Sequence, residues 1–321
     1  MRPIAAVALL ATLAACAPEP SPAPGTDASS PPHAASTASE ARDTKIAQTL
    51  PAYFDCLREN TELLIATHRG GPAPGYPENA LETMQNAFDA GFTVFEIDVA
   101  ESRDGVLFLM HDRTLGRTTN RGGAVADTDW EDIARARLVD NSGIVTDFAP
   151  PKLTDVLLWA VENGAIVELD RKSSTSFRNI VAAIRAAGAE GNSILITYDD
   201  SQAGEVARLA PDLMLTASAR GGRDIARLED LGVRRENLIA WTGITAPDAA
   251  AFRRLRNEGV EPAFGTLGRA EDRLDDQWLA DGDASEFEAL IDDGLVLLAT
   301  DRPFQVAELL GSDAHPKVCQ R

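Results

Sequence analysis

His68-Arg69, Glu96-Ile97-Asp98 and His111-Asp112 lie close together in a chain that contains only four histidines, and each group closes a short apolar run that reads as a β-strand. Histidines at strand ends can pass protons to and from a reacting oxygen near neutral pH. Glu96 and Asp98, two residues apart, share one face of an extended strand and can grip a hard divalent cation through oxygen. Proton-transfer groups beside an oxygen-ligand metal site imply metal-assisted phosphoryl transfer.

Eight apolar runs could position such groups: residues 63–67, 93–99, 165–169, 194–197, 214–217, 238–241, 262–266 and 295–300. Segments with helical apolar spacing separate them. Continuous apolar strands alternating with helices predict a parallel sheet covered on its outer face, and eight such units over about 270 residues predict a (β/α)8 TIM barrel. In the first helix Asn79 reads as an N-cap with Glu82 three residues on, Leu81, Met84, Ala87 and Phe88 form the buried stripe, and Gly91 ends it. The run at 106–110 follows Val99 too closely to be the next parallel strand, since a parallel crossover needs a dozen or more residues. It predicts a small insertion after the second strand, about residues 101–151, capping the barrel mouth before a helix that opens at Thr154. Active sites of such barrels lie at the C-terminal face, where His68 and Glu96 would be neighbours.

Residues 1–15 resemble a secretory signal peptide: Arg2 gives a positive start, residues 4–13 are apolar but too short to span a bilayer, and small residues follow. Leu13-Ala14-Ala15-Cys16 resembles the bacterial lipobox, which implies lipidation at Cys16; the alternative is an ordinary signal with a chance cysteine. Residues 16–42 are rich in Pro, Ala, Ser and Thr, so they cannot bury enough surface to offset ordering entropy and read as a flexible tether to a barrel at 43–321. The expected location is the bacterial cell envelope, with the domain anchored to a membrane and facing the periplasm or the exterior. Thirty Lys and Arg stand against 50 Asp and Glu, a net charge of −20, which argues against nucleic acid as a partner because phosphate binding needs a basic footprint. Export would place Cys56 and Cys319 in oxidising conditions. Cys56 precedes the first strand, Cys319 follows the helix after the eighth, and barrel closure makes those strands neighbours, so a Cys56–Cys319 disulfide is expected. Two unpaired thiols with a disordered tail after Gly311 are the alternative.

His68-Arg69-Gly70, Pro77-Glu78-Asn79, Glu96-Ile97-Asp98-Val99, Asp104-Gly105, His111-Asp112 with Leu115 and Arg117-Thr118-Thr119, Glu168, and Thr300-Asp301-Arg302-Pro303 together make the chain resemble the glycerophosphodiester phosphodiesterase family. These pieces span nearly the whole barrel in order, and those in the first half are the more specific. The resemblance implies a phosphoric diester hydrolase in which His68 and His111 are the general acid/base pair. It further implies that Glu96, Asp98 and Glu168 hold one divalent cation, Ca²⁺ or Mg²⁺, and that the substrate is a small glycerophosphodiester cleaved through a cyclic phosphate formed by its 2-hydroxyl.

The residues can also be weighed singly. Carboxylates at 96 and 98 pointing into a barrel would cost several kcal/mol unless neutralised, and a cation is the simplest remedy, with ion pairs to Arg or Lys as the alternative. Glu168 ends another apolar strand and completes an all-oxygen set suited to Mg²⁺ or Ca²⁺ rather than zinc, or serves as an ordinary ion-pair partner. Arg69 could clamp a phosphate oxygen or form a rim salt bridge. Asn79 is either a helix cap or a site residue, Trp159 and Trp241 read as core with a substrate platform as the alternative, and Asp301 reads as a helix cap that could line the mouth. Two departures from the family pattern stand out. A lysine usually sits two residues after the third carboxylate, where this chain has Asp170. Lys172, on the same face if the strand continues, could reach the phosphate instead, or Asp170 could join the metal. The usual Trp-Thr strand end is here Phe264-Gly265-Thr266, which alters the wall near the leaving alcohol.

This chain is therefore expected to be a lipid-anchored envelope hydrolase that cleaves glycerophosphodiesters to sn-glycerol 3-phosphate and an alcohol. Rivals on the same barrel are phospholipase D-like or lysophospholipase D activity on lipid phosphodiesters, which a wide apolar groove at the mouth would favour, and a non-catalytic envelope binding protein.

Overall fold

In the computed structural model, which describes residues 48–321, the apolar runs become strands β1 (Leu64–Thr67), β2 (Val94–Glu101), β3 (Leu107–Leu109), β4 (Ile166–Arg171), β5 (Ser193–Ile196), β6 (Met214–Ser218), β7 (Leu238–Trp241), β8 (Glu261–Gly265) and β9 (Leu297–Thr300). The expected signal segment, Cys16 and the tether lie outside the described residues. Parallel pairing runs β1-β9-β8-β7-β6-β5-β4-β2, and β2 returns to β1 through Ala66 with Val94 and Thr67 with Phe95. This closes an eight-stranded (β/α)8 barrel. Only β3 is antiparallel, with Leu109 opposite Val99 on the edge of β2. It opens the insertion, where Phe108, Met110, Leu115, Val125 and Ile133 bury against Ala100 as a small core of their own.

The helices are α1 (Leu50–Asn60), α2 (Leu81–Asp89), α3 (Trp130–Ala134), α4 (Leu153–Asn163), α5 (Phe177–Ala187), α6 (Asp200–Leu209), α7 (Gly222–Asp230), α8 (Ala249–Asn257), α9 (Leu274–Trp278), α10 (Ser285–Asp292) and α11 (Pro303–Leu310). Helix α5 shows why these segments coil. Ser176 accepts from the Asn179 N–H at its start, Gly188 takes the left-handed position at its end, and Phe177, Ile180, Val181 and Ile184 form one buried stripe. Each of those side chains contributes roughly 1.5–3 kcal/mol by leaving water. Helix α4 opens at Leu153, one residue before the expected start. Helix α2 has Ala80 at its N-cap with no side-chain bond, so the Asn79 cap is overturned. Asn79 is held in a left-handed backbone (φ 58°) and turns its side chain to β2 instead.

Strand alternation assigns the two faces of the sheet. On β2, Phe95, Ile97 and Val99 pack outward under the helices, as do Val167 and Leu169 on β4. The other face turns inward, and at the N-terminal end of the barrel Val94 and Ile166 meet Leu64, Ile194, Met214, Ile239, Ala263 and Leu297. Further along that inward face come Glu96 and Asp98 on β2 and Glu168 and Asp170 on β4, paired in register as Glu96 with Glu168 and Asp98 with Asp170. The barrel is thus apolar at its N-terminal end and acidic toward its C-terminal mouth.

Helix α1 closes the apolar end with Phe54 and Leu57, and its Arg58 Nε donates to Glu261 Oε1 at 2.8 Å. Cys56 of that helix is joined to Cys319 in a disulfide with a Cα–Cα separation of 5.8 Å. No helix among the described residues is long and apolar enough to cross a membrane.

Candidate active site

Histidine 68 follows β1 directly, in a short turn over His68–Gly70. Gly70 has φ +84°, and a Cβ there would meet Met84 Cγ at 3.0 Å, so only glycine lets the turn lie this close to α2. The turn leaves Arg69 left-handed at φ 54°. Arg69 and Asn79, each in a region that costs on the order of 1 kcal/mol for a side chain with a Cβ, are joined by the Asn79 N–H to the Arg69 carbonyl at 2.9 Å. The strain has a use: the Arg69 N–H reaches Glu96 Oε2 at 2.8 Å, while Asn79 donates to Asp98 Oδ2 at 2.6 Å and accepts from the Asp98 N–H at 2.9 Å. Both carboxylates are therefore aimed before anything binds.

Each histidine has its own carboxylate. His68 Nδ1 is 2.6 Å from Asp301 Oδ1, and His111 Nδ1 is 2.7 Å from Asp112 Oδ1. With Nδ1 engaged, Nε2 of each ring is left for chemistry, and that of His68 lies 3.7 Å from Glu96 Oε2. Burial works against a charged His68 ring, but the Asp301 hydrogen bond and the charges of Glu96 and Asp301 outweigh it and hold the pKa above the ordinary histidine value. Asp301 is not the helix cap that its place before α11 suggests; Arg302 occupies that position. It is fixed by the Gly268 N–H and the Arg273 guanidinium, each at 3.1 Å, and its own N–H bonds to the fully buried Asp275 at 2.8 Å.

The four inward carboxylates occupy unequal environments. Glu96, Asp98 and Asp170 offer oxygens that all lie within 4.8 Å of one another. Glu168 stands outside that group but lines the same cavity. It is 4% exposed, its side chain makes no hydrogen bond or ion pair within the described residues, and burial pushes its carboxyl up to about 7. Burial and the neighbouring Asp98 charge push Glu96 up as well. Lys172 places Nζ 2.5 Å from Asp98 Oδ1 and 2.6 Å from Asp170 Oδ2. The Tyr198 hydroxyl also donates to Asp170 Oδ2, at 2.8 Å, and Asp170 Oδ1 is buried with no partner. Arg69 bonds both oxygens of Glu78 at 3.0 Å, leaving its own buried Nε unpartnered. Glu78 also takes both terminal nitrogens of Arg117 at 2.8 Å, and Arg117 reaches on to Asp112.

His68, Glu96, Asp98, His111, Glu168, Asp170 and Lys172 line one cavity of about 320 Å³, whose opposite wall is Ile196, Thr197, Thr216, Ser218, Trp241, Ile244 and Leu267. Trp159 is core, bonded to Gln85 and packed on Phe95, but Trp241 lines the cavity. A Cβ on Gly265 would meet Trp241 Cη2 and Ile244 Cγ2 at 2.9 Å. Trp241 from β7 and Ile244 thus fill the space beside Gly265 at the end of β8. An all-oxygen set containing an orphaned oxygen on Asp170 and an unpaired, buried Glu168 suits a hard divalent cation. Sequence reasoning missed Asp275 and Tyr198, gave Glu78 and Arg117 no role in the site, and gave Asp301 only a cap that could line the mouth. Asp301, Glu78 and Arg117 do fall inside the family-like pieces quoted above, and that was the only local signal.

The model of the glycerophosphoryl diester phosphodiesterase family matches residues 68–206. An uncharacterized protein of Bacillus subtilis, YqiK, is 28% identical over 219 residues, 65% of this chain and 88% of that protein. A probable glycerophosphodiester phosphodiesterase 2 of Mycobacterium tuberculosis is 28% identical over 51% of this chain and 59% of its own length. The crystal structure of a glycerophosphoryl diester phosphodiesterase from Parabacteroides distasonis superposes with a TM-score of 0.68 at 28% identity, covering 81% of this chain and 92% of that one.

Proposed function

Since this chain belongs, through its domain at residues 68–206, to the glycerophosphoryl diester phosphodiesterase family, we propose that it hydrolyses glycerophosphodiesters to sn-glycerol 3-phosphate and an alcohol. One observation carries the reading: two histidines, each oriented by its own carboxylate, line a single cavity together with four inward carboxylates. One Nε2 takes the proton of the attacking glycerol 2-hydroxyl or water, and the other returns a proton to the departing alkoxide. Glu96, Asp98 and Glu168 would hold one Mg²⁺ or Ca²⁺, which neutralises phosphate charge and lowers the pKa of the attacking hydroxyl when bound. Arg69 and Lys172 would be the cations that meet the phosphate; in support, Lys172 lines the cavity and Arg69 Nε makes no hydrogen bond. A non-catalytic binding protein would have no use for two carboxylate-oriented histidines.

The wall formed by Trp241, Ile244 and Leu267 favours a second reading, in which the glycerol that stays with the phosphate carries an acyl chain and the headgroup alcohol departs. Tyr198 extends that wall, and Tyr198 and Ile244 are 65% and 41% exposed. Steady-state assays on glycerophosphocholine, glycerophosphoethanolamine and lysophospholipids, with and without chelator, separate the possibilities. Chelator-sensitive release of glycerol 3-phosphate from the headgroup diesters is the expected result. Turnover of lysophospholipids alone supports the lipid reading, and chelator-resistant turnover removes the cation.

We also propose export and lipid anchoring at Cys16, supported by the lipobox-like segment and by a Cys56–Cys319 disulfide that suits an oxidising compartment. Cells fed labelled palmitate should label the wild-type chain and not Cys16→Ser; equal labelling of both would refute the anchor.

A further inference from the structure

We propose that Asp170 is itself a ligand of the divalent cation, and that the Lys172 ammonium is a competing occupant which holds the metal-free site together and leaves when the cation enters. The inference rests on the cation reading above and concerns residues that reading leaves without a role in the metal centre.

Four carboxylates stand in two rungs, Glu96 with Glu168 and Asp98 with Asp170, on adjacent parallel strands. All four are buried. Such a ladder is costly unless its charges are neutralised, and within the described residues Lys172 is the cation bonded to two of its members, Asp98 and Asp170. Arg69 Nε lies further off, 3.8 Å from Asp98. One ammonium cannot match four carboxylates, and the shortfall shows in the hydrogen bonding. Glu168 has no partner within the described residues, and Asp170 Oδ1 is buried and orphaned although Oδ2 of the same group accepts from both Lys172 and Tyr198. A buried carboxylate oxygen without a donor is the vacancy that a hard cation fills.

Geometry places Asp170, rather than Glu168, in the tight group with Glu96 and Asp98. Lys172 contacts two of those three residues, so the ammonium and a cation contend for the same oxygens. Lys172 also lines the neighbouring cavity of about 540 Å³ beside His111, Arg171 and Tyr198, which gives its flexible stem somewhere to go. A released ammonium at that border is placed to meet a phosphate oxygen, so cation entry and phosphate capture are coupled through one side chain. Competition for a shared site has a definite sign: removing the ammonium tightens cation binding, and removing a ligand weakens it.

Calorimetric titration of the purified chain with Mg²⁺ and with Ca²⁺ reads this without any turnover. Wild type should bind one cation, Asp170→Asn should bind it at least tenfold more weakly, and Lys172→Met should bind it severalfold more tightly. Glu96→Gln serves as the reference for loss of a ligand. Asp170→Asn with wild-type affinity, beside a Glu96→Gln that has lost it, overturns the Asp170 assignment and leaves the cation reading standing. A wild type that binds no cation overturns both. Lys172→Met with unchanged or weaker affinity overturns the competition. Thermal midpoints in chelator check that the variants are folded; if Asp170→Asn fails that check, Asp170→Ser replaces it, and Lys172→Met tests the competition independently.

Discussion

The two walls of the cavity are built on opposite principles. The wall from β1, β2, β4 and the insertion carries His68, Glu96, Asp98, His111, Glu168, Asp170 and Lys172, while that from β5 to β8 and the loops after them carries Ile196, Thr216, Ser218, Trp241, Ile244 and Leu267. The first wall costs folding energy, because its carboxylates leave water without enough partners. The second contributes it, because its apolar side chains bury surface. Stability is thus given up on the charged wall, and the apolar wall can vary without disturbing the charges opposite. On the function proposed above, the first wall would carry the reaction and the second would select among substrates.

The contrast can be broken most strongly on the charged side. Replacing His68 or His111 with alanine should lower turnover by about two to four decades, with little loss of stability. Asp301→Asn removes the hydrogen bond and charge that hold the His68 pKa up, so the limb of the pH–rate profile that belongs to His68 should move to lower pH while the other limb stays. A profile unmoved on both sides would take Asp301 out of the acid–base machinery.

A smaller effect tests the claim that the charged wall costs stability. Burial pushes the Glu168 carboxyl from 4.5 up to about 7, so the folded chain holds this proton more tightly than the unfolded one. That contribution is fully present below the unfolded value and is lost as pH rises through about 7, a fall of roughly 3 kcal/mol in cation-free protein. Glu168→Gln should flatten this part of the slope, and saturating cation should do the same for wild type by stabilising the charged form. Denaturant midpoints measured from about pH 4 to pH 8 check it, and equal slopes in wild type and variant would show that Glu168 carries no such cost.

The smallest effect belongs to the other wall. Gly265→Ala would push against Trp241 and Ile244 and narrow the cavity on its apolar side. If that side takes an acyl chain, kcat/KM for lysophosphatidylethanolamine should fall relative to that for glycerophosphoethanolamine by about tenfold, roughly the value of one methylene in a pocket, with the pH profile unchanged. An equal loss on both substrates would mean that this wall does not read the acyl chain.

Much of the first wall was legible in the sequence. Residues two apart on a strand share a face, so Glu96 with Asp98 and Glu168 with Asp170 follow from local spacing once the runs are read as strands. The eightfold alternation of strand and helix carried the barrel, and a run too close for a parallel crossover carried the insertion. The second wall was largely illegible: Trp241 read as core, because nothing local distinguishes a tryptophan facing a cavity from one facing a helix.

Sequence by itself determined the candidate residue types, their place at strand ends and the closed parallel sheet, since strand periodicity and crossover length are properties of a few consecutive residues. Tertiary structure alone decided the partners. Asp301, far along the chain from His68, becomes its hydrogen-bond partner only because β9 closes on β1. Asn79 looks like a cap and acts as a clamp on Asp98, because its left-handed backbone turns the amide toward β2 instead of the helix start. Lys172 lies between Asp98 and Asp170 because those carboxylates stand in register on neighbouring strands. In each case the pairing energy comes from groups distant in sequence, and it exists only once the barrel has closed around them.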